Sequence, residues 1–314
     1  MSVNDGSLLA TVDARTKLAG SNKMEILLFS LGTRETFGIN VFKVREVLQT
    51  PNITKTPNMP IGVQGVLSLR GNILPVIALA KFISPENSNR PYETMIVTEF
   101  NKSSQAFLVD SVDRIIRVDW DKVRAPENMM MNNASVQMNL ITAVTELEDG
   151  KLVSILDVEQ ILASVTGERY VPDVPQAQLS GDEYVFFCDD SVVARKEITS
   201  VLEKMHVKYQ QAYNGREAWE RLQQLAQRNW GQGESLHDRL KIILVDAEMP
   251  EMDGYVLTRL IKSDSRFSGI PVIMHSSLSS NANRAMGSSV GVDAYVAKFD
   301  PIVLAETLLP FLQR

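Results

Sequence analysis

Three aspartates, a serine and a lysine in the C-terminal half stand where a metal-assisted phosphoryl transfer would need them. Asp189 and Asp190 close the apolar run YVFFC (184–188), and Asp246 closes IILVD (242–246). Ser276 follows VIMH (272–275), and Lys298 follows AYVA (294–297). Carboxylates gathered in one crevice favour a hard cation, and Mg2+ suits a site that also receives phosphate. Such an ion would neutralise the carboxylates and the incoming phosphoryl oxygens, which makes carboxylate attack on phosphorus feasible. The Ser276 hydroxyl could hydrogen-bond a phosphoryl oxygen, and Lys298 could reach the same group as a point charge. A lone aspartate at a strand end is more often a turn or cap residue. Acid pair, aspartate, hydroxyl and lysine, in that order at strand ends, make a far more specific pattern.

These residues need elements to position them. From Glu183 to Arg314, strand-like runs alternate with helical periodicity five times. Ile198, Val201, Leu202 and Met205 recur at i, i+3, i+4 and i+7, and Ala218, Trp219, Leu222 and Leu225 mark a second helix. Val256, Leu257, Leu260 and Ile261 mark a third, while QRNWGQGESLHDRL before IILVD reads as a solvated loop or helix extension. A short polar helix is expected after VIMH and a final helix after AYVA. Such alternation predicts an α/β domain with a doubly wound, five-stranded parallel sheet, in which ligands bind outside the carboxyl ends of the strands. Ser191 reads as a helix cap and Cys188 as a buried strand residue. His206, His237 and His275 share no metal-ligand spacing, so zinc is not expected.

The first half has a different texture. From Met24 to about Val165 come short runs rich in Val, Ile, Leu and Phe, among them MEILLFSLG, FGINV, GVLSLRGNILPVIAL, MIVTEF, QAFLVDSV and KLVSILDV. Turn residues separate them, with hairpins expected at RGN (70–72), NKSSQ (101–105) and EDG (148–150). This is an all-β pattern of barrel or sandwich type. A short helix should follow Asp157, with Val158, Ile161, Leu162 and Val165 inward. No nucleophile–base set or phosphate loop is present, so this half reads as a binding module. Residues 167–182, with two prolines and several polar residues, read as a linker. Residues 1–22 form an N-terminal tail, within which 7–19 could make one amphipathic helix. The expected organisation is thus a tail (1–22), a β module (23–166), a linker (167–182) and an α/β domain (183–314).

Bulk composition narrows the partners. A chain of 314 residues with 44% hydrophobic content can build two cores. Its net charge of −6 argues against nucleic acid or an anionic membrane as the main partner. The apolar stretch from Gly65 to Ala80 is broken by Arg70, Asn72 and Pro75, so direct membrane insertion is not expected. The single cysteine cannot form an intramolecular disulfide, and the N-terminus lacks a signal-peptide pattern, which fits a cytoplasmic protein.

The segment DAEMPEMDG (246–254) resembles the phosphoacceptor motif D-x-x-M-P-x-M-D-G of response-regulator receiver domains, at every fixed position. The resemblance covers about 130 residues and implies a flavodoxin-like receiver. It implies that a histidine kinase phosphorylates Asp246, and that Asp190, Asp246 and the Glu248 backbone carbonyl bind Mg2+ with Asp189 in support. It also gives Ser276 and Tyr295 the hydroxyl and aromatic positions of a switch. The lysine–proline pair usual after the fifth strand is replaced here by Lys298, Phe299 and Asp300, with proline only at 301.

In the first half, FGINVFKVREVL, GVLSLRGNILPVIAL, AFLVDSVDRII and ITAVTELEDGKLVSILDVEQIL resemble the chemotaxis coupling protein CheW. That resemblance implies two small SH3-like barrels bridging a histidine kinase and a chemoreceptor. Ala78 stands where that family usually has aspartate. Arg70 is a candidate partner contact, and Val44 and Val47 are candidates for an apolar interface patch as well as for the core. The fusion resembles the CheV family. This implies a signalling adaptor, not an enzyme, that couples methyl-accepting chemoreceptors to the histidine kinase CheA under control of Asp246, in sensory adaptation. CheW is a further candidate partner, and recruitment to membrane receptor arrays is implied. The alternative is a phosphate sink that drains phosphoryl groups from CheA.

Overall fold

The computed structural model describes residues 23–83, 92–100, 103–124, 140–167, 171–179, 181–231, 233–277, 287–298 and 300–313. The N-terminal helix expected over 7–19 lies outside them, as do the tip of the 101–105 turn and most of the segment after Ser277. The chain forms two compact units that divide near residue 170, each with its own core.

The first unit contains two five-stranded sheets. One has the order β8 (Ser111–Asp119), β1 (Lys23–Ser30), β2 (Thr36–Asn40), β10 (Leu152–Leu156), β9 (Ile141–Glu146). The other runs β3 (Val44–Gln49), β6 (Thr94–Phe100), β7 (Ser103–Val109), β5 (Asn72–Ala78), β4 (Val63–Leu69). Each sheet is antiparallel apart from one parallel pairing, β2 with β10 and β5 with β7. The alternation of strand side chains explains the nearly continuous apolar runs. In β1, Met24, Ile26 and Leu28 face a core with Trp120, Val123 and Val153. Leu27 and Phe29 face the opposite way, into a core that also takes Ile77, Ile96 and Phe107 from the second sheet. A third cluster lines the other face of that sheet, built on Leu74, Val76, Met95, Val97 and Leu108. Ala78 lies wholly buried in it, so an apolar side chain suits that position.

Arg70 and Gly71 connect β4 to β5 with φ of 50° and 84°. Two successive left-handed residues make the hairpin turn that matches strand twist. The Asp157 carboxylate caps helix α1 (Val158–Thr166) by accepting from the Gln160 N–H. Val158, Ile161 and Leu162 of α1 enter the shared core, with Val165 packed against it.

The second unit has the sheet order β12 (Lys208–Ala212), β11 (Tyr184–Cys188), β13 (Leu240–Asp246), β14 (Val272–Ser276), β15 (Ala294–Ala297). All pairings are parallel. Helices α2 (Val192–Lys204), α3 (Gly215–Gln227), α4 (Gly254–Ser263) and α5 (Pro301–Leu312) connect and cover it. One core packs α2 and α5 against Val185, Phe187, Ile242 and Leu244, and the other packs α3 and α4 against Phe186, Ile243 and Val245. The segment before β13 is less solvated than its composition suggests. Leu236 is buried in a short helical turn (Leu236–Arg239), and Trp230 packs on the core and donates to the Leu225 carbonyl.

Residues 171–179 have no regular structure, yet they lie against this second unit. Val171 is buried, and Val174, Ala177 and Leu179 pack beside the α2–α5 core. Lys204 Nζ donates to the carbonyls of Val171 (2.6 Å) and Pro172 (3.3 Å), and Ala177 N–H to that of Met205 (3.0 Å). The prolines hide a strap with apolar residues at intervals.

Candidate functional site

The carboxyl ends of β11, β13 and β15 bring the predicted residues together. Ligand oxygens of Asp189, Asp190 and Asp246 all lie within 4.8 Å of one another. Lys298 Nζ sits between two of these carboxylates, 3.0 and 2.9 Å from the Asp189 oxygens and 2.9 Å from Asp246 Oδ2. Asp189, Asp246 and Lys298 are buried, while Asp190 is half-buried at the mouth. His275 Nδ1 lies 3.9 Å from Asp189 Oδ2, so this histidine borders the cluster, a position sequence spacing gave no reason to expect.

Local structure fixes each member. Asp189 Oδ1 accepts the Ser191 N–H, and Ser191 in turn caps α2. Asp246 ends strand β13, which is buried throughout except at Lys241. Asp253 caps α4 by accepting the Val256 N–H, and Gly254 N–H donates to the Ala247 carbonyl. A Cβ on Gly254 would overlap the Asp246 carbonyl oxygen, which is why the motif ends in glycine. Glu248 is half-buried in the loop between β13 and α4. Ser276 is wholly buried at the end of β14, and its carbonyl accepts the Lys298 N–H. Tyr295 is half-buried against Ala247, Tyr255 and Met274, and Ala247 is the residue that follows Asp246. Burial pushes the Tyr255 hydroxyl far above its ordinary range, and the neighbouring Tyr295 and Glu248 add to this.

The donor set fits Mg2+. Three carboxylates gather their oxygen atoms in one largely buried crevice with a single ammonium among them, and a hard dication with oxygen ligands suits such a set.

Cys188 lies one residue before this cluster, wholly buried, with Sγ 3.8 Å from the Leu244 carbonyl oxygen. Burial pushes its thiol well above the ordinary value, and the charges of Asp246 and Asp189 push it further. The thiolate is the reactive form, so Cys188 is expected to resist Ellman's reagent at pH 8 until the chain is unfolded. Stoichiometric reaction of the native protein within minutes would contradict this.

In the first unit the three candidate contacts separate. Arg70 is exposed at the hairpin tip, with Nη2 2.7 Å from Glu46 Oε2. Val44 is buried in the shared core and Val47 packs against it, so packing accounts for both. A deeper ion pair lies elsewhere in this unit, between residues whose spacing does not announce it. Lys43 Nζ lies 3.0 Å from Glu159 Oε1, whose side chain is 1% exposed. It ties the helical turn Val41–Lys43 to α1.

Comparison with known proteins agrees with both halves. The model of the CheW-like domain matches residues 25–166, and that of the response regulator receiver domain matches residues 185–308. The chain is therefore a CheW-like domain fused to a receiver domain. It is 34% identical over 283 residues to the chemotaxis protein CheV3 of Helicobacter pylori, covering 88% of this chain and 89% of that one. Chemotaxis protein CheV2 of the same organism is 25% identical, with 96% and 98% covered. The chemotaxis protein CheW of Klebsiella aerogenes is 30% identical over 50% of this chain and 90% of its own length. The chain belongs to the CheV family of chemotaxis proteins. Among the described residues no helix is long and apolar enough to cross a membrane.

Proposed function

We propose that this chemotaxis adaptor couples chemoreceptors to the histidine kinase CheA through its CheW-like domain, and that phosphorylation of Asp246 regulates the coupling during sensory adaptation. The observation that carries the reading is the Asp246 carboxylate, held beside Asp189, Asp190 and the Lys298 ammonium at the carboxyl end of a parallel sheet. Asp189, Asp190 and Asp246 would hold Mg2+, with the Glu248 carbonyl as a further ligand, and the ion would supply charge neutralisation for the incoming phosphoryl oxygens. An Asp246 carboxylate oxygen attacks phosphorus, the bond to the donor's leaving group breaks, and that group departs with the electron pair. Lys298, already in contact with Asp246, would stay with the charge as it moves onto the phosphoryl oxygens. The Ser276 hydroxyl would turn to the new oxygens, and Tyr295 would follow the space it leaves.

The chain accepts a phosphoryl group and does not turn over a small substrate. It works in the cytoplasm at receptor arrays, with CheW as a further partner and Arg70 at the contact surface. The added charge would act by biasing an element with two arrangements. Acetyl phosphate with Mg2+ is expected to label the full chain stoichiometrically, and Asp246→Asn to abolish labelling. Labelling that persists in the variant sinks the site. Kinase activity in reconstituted arrays separates adaptor from phosphate sink: identical coupling by both proteins, with different phosphate turnover, favours the sink.

A further inference from the structure

The backbone that carries Asp189 and Asp190 is held by a side chain from the next helix. Arg195, in the first turn of α2, donates through one nitrogen, Nη1, to two successive backbone carbonyls, those of Asp189 (2.9 Å) and Asp190 (2.7 Å). Its guanidinium lies over the Tyr213 ring, 4.7 Å from the centroid. Tyr213 N–H donates to Glu217 Oε2, which anchors the residue that carries the ring at the start of α3.

The geometry has a specific consequence. A carbonyl held in place fixes the plane of its peptide group. The Asp189 carbonyl belongs to the plane before the Asp190 Cα, and the Asp190 carbonyl to the plane after it. Holding both sets φ and ψ of Asp190 together, and so the direction of its Cβ. Asp190 is the half-buried member of the acid cluster, whereas Asp189 and Asp246 are buried. We infer that Arg195 is a positioning residue that aims the Asp190 carboxylate at the divalent cation, with Tyr213 bracing the guanidinium. The inference rests on the Mg2+ reading of the acid cluster.

Arg195 is also a positive charge near a cation site, and this makes the test decisive. If it acted only through its charge, its removal would tighten Mg2+ binding. If it aims Asp190, its removal weakens binding. Groups that orient metal ligands typically contribute 10- to 100-fold in affinity. Calorimetric titration of the full chain with Mg2+ should therefore show about a tenfold weaker Kd for Arg195→Met. Arg195→Lys, which keeps a cationic donor on a shorter reach but loses the planar guanidinium that lies over Tyr213, should fall between the two. The melting midpoint in EDTA should stay close to that of the parent. The further readout is a double-mutant cycle with Asp190→Asn. In that background the Arg195→Met loss should largely vanish, because the ligand being aimed is gone. Equal or tighter Mg2+ binding by Arg195→Met overturns the inference while leaving the metal site standing. So does an undiminished loss in the Asp190→Asn background. A parent that takes up no Mg2+ overturns the metal site and this inference together.

Discussion

Replacing Lys298 by methionine is expected to cost the receiver unit about 3–5 kcal/mol of stability in a chelating buffer, the range for removing one partner of a buried ion pair. Mg2+ is expected to return much of the loss. Lys298 Nζ touches both Asp189 oxygens and one of Asp246, and all three side chains are almost fully buried. Methionine fills a similar volume without the charge, so the cost is electrostatic and not that of a cavity. The two carboxylates then face each other in a pocket that water scarcely enters. A dication that binds the folded state stabilises it in proportion to the logarithm of its concentration over Kd. The variant has the greater need of one, so its midpoint should rise more steeply with Mg2+ than the parent's. Hydrogen exchange read by mass spectrometry on peptides of β11 and β13 reports this unit separately from the first. Exchange in EDTA that matches the parent would falsify the account of the pocket.

That pocket was largely legible in the sequence, and the reason is topological. A parallel sheet sends its active residues to strand ends, so Asp189, Asp190, Asp246, Ser276 and Lys298 announce themselves by following apolar runs. DAEMPEMDG added the acceptor loop, whose Asp253 cap and Gly254 each have a visible task. The strands of the first half were legible too, because those buried on both faces read as unbroken Val, Ile and Leu. What escaped the sequence depends on side-chain pairings that carry no period. Nothing in the local pattern says that Arg195 turns back onto two carbonyls, or that His275 borders Asp189. The strap was obscured because prolines and polar residues dominate it, while Val171, Val174, Ala177 and Leu179 follow no helical or strand period. Lys43 and Glu159 are 116 residues apart, and their types suggest solvated surface.

The second large effect falls on that pair. Lys43→Met is expected to destabilise the CheW-like domain by about 3 kcal/mol, because it removes the cation beside a carboxylate that water hardly reaches. Glu159→Gln should cost less: the Lys43 side chain is 19% exposed, so its ammonium can turn toward solvent along its flexible stem. The double variant Lys43→Met, Glu159→Leu should recover most of the loss, since replacing a buried pair by apolar groups is often neutral. Hydrogen exchange of the full chain across a denaturant series, read on peptides of β1 and α1, measures all three. A Lys43→Met protein as stable as the parent, or a double variant no better than the single, would remove the pair from any structural role. Lys43 immediately precedes β3, the strand that places Glu46 against Arg70. Glu159 lies in α1, the last element of its unit before the strap of the receiver begins at Val171. If the CheW-like domain couples kinase and receptor as proposed, loss of the pair should also weaken pull-down of both, and the double variant should restore stability before it restores binding.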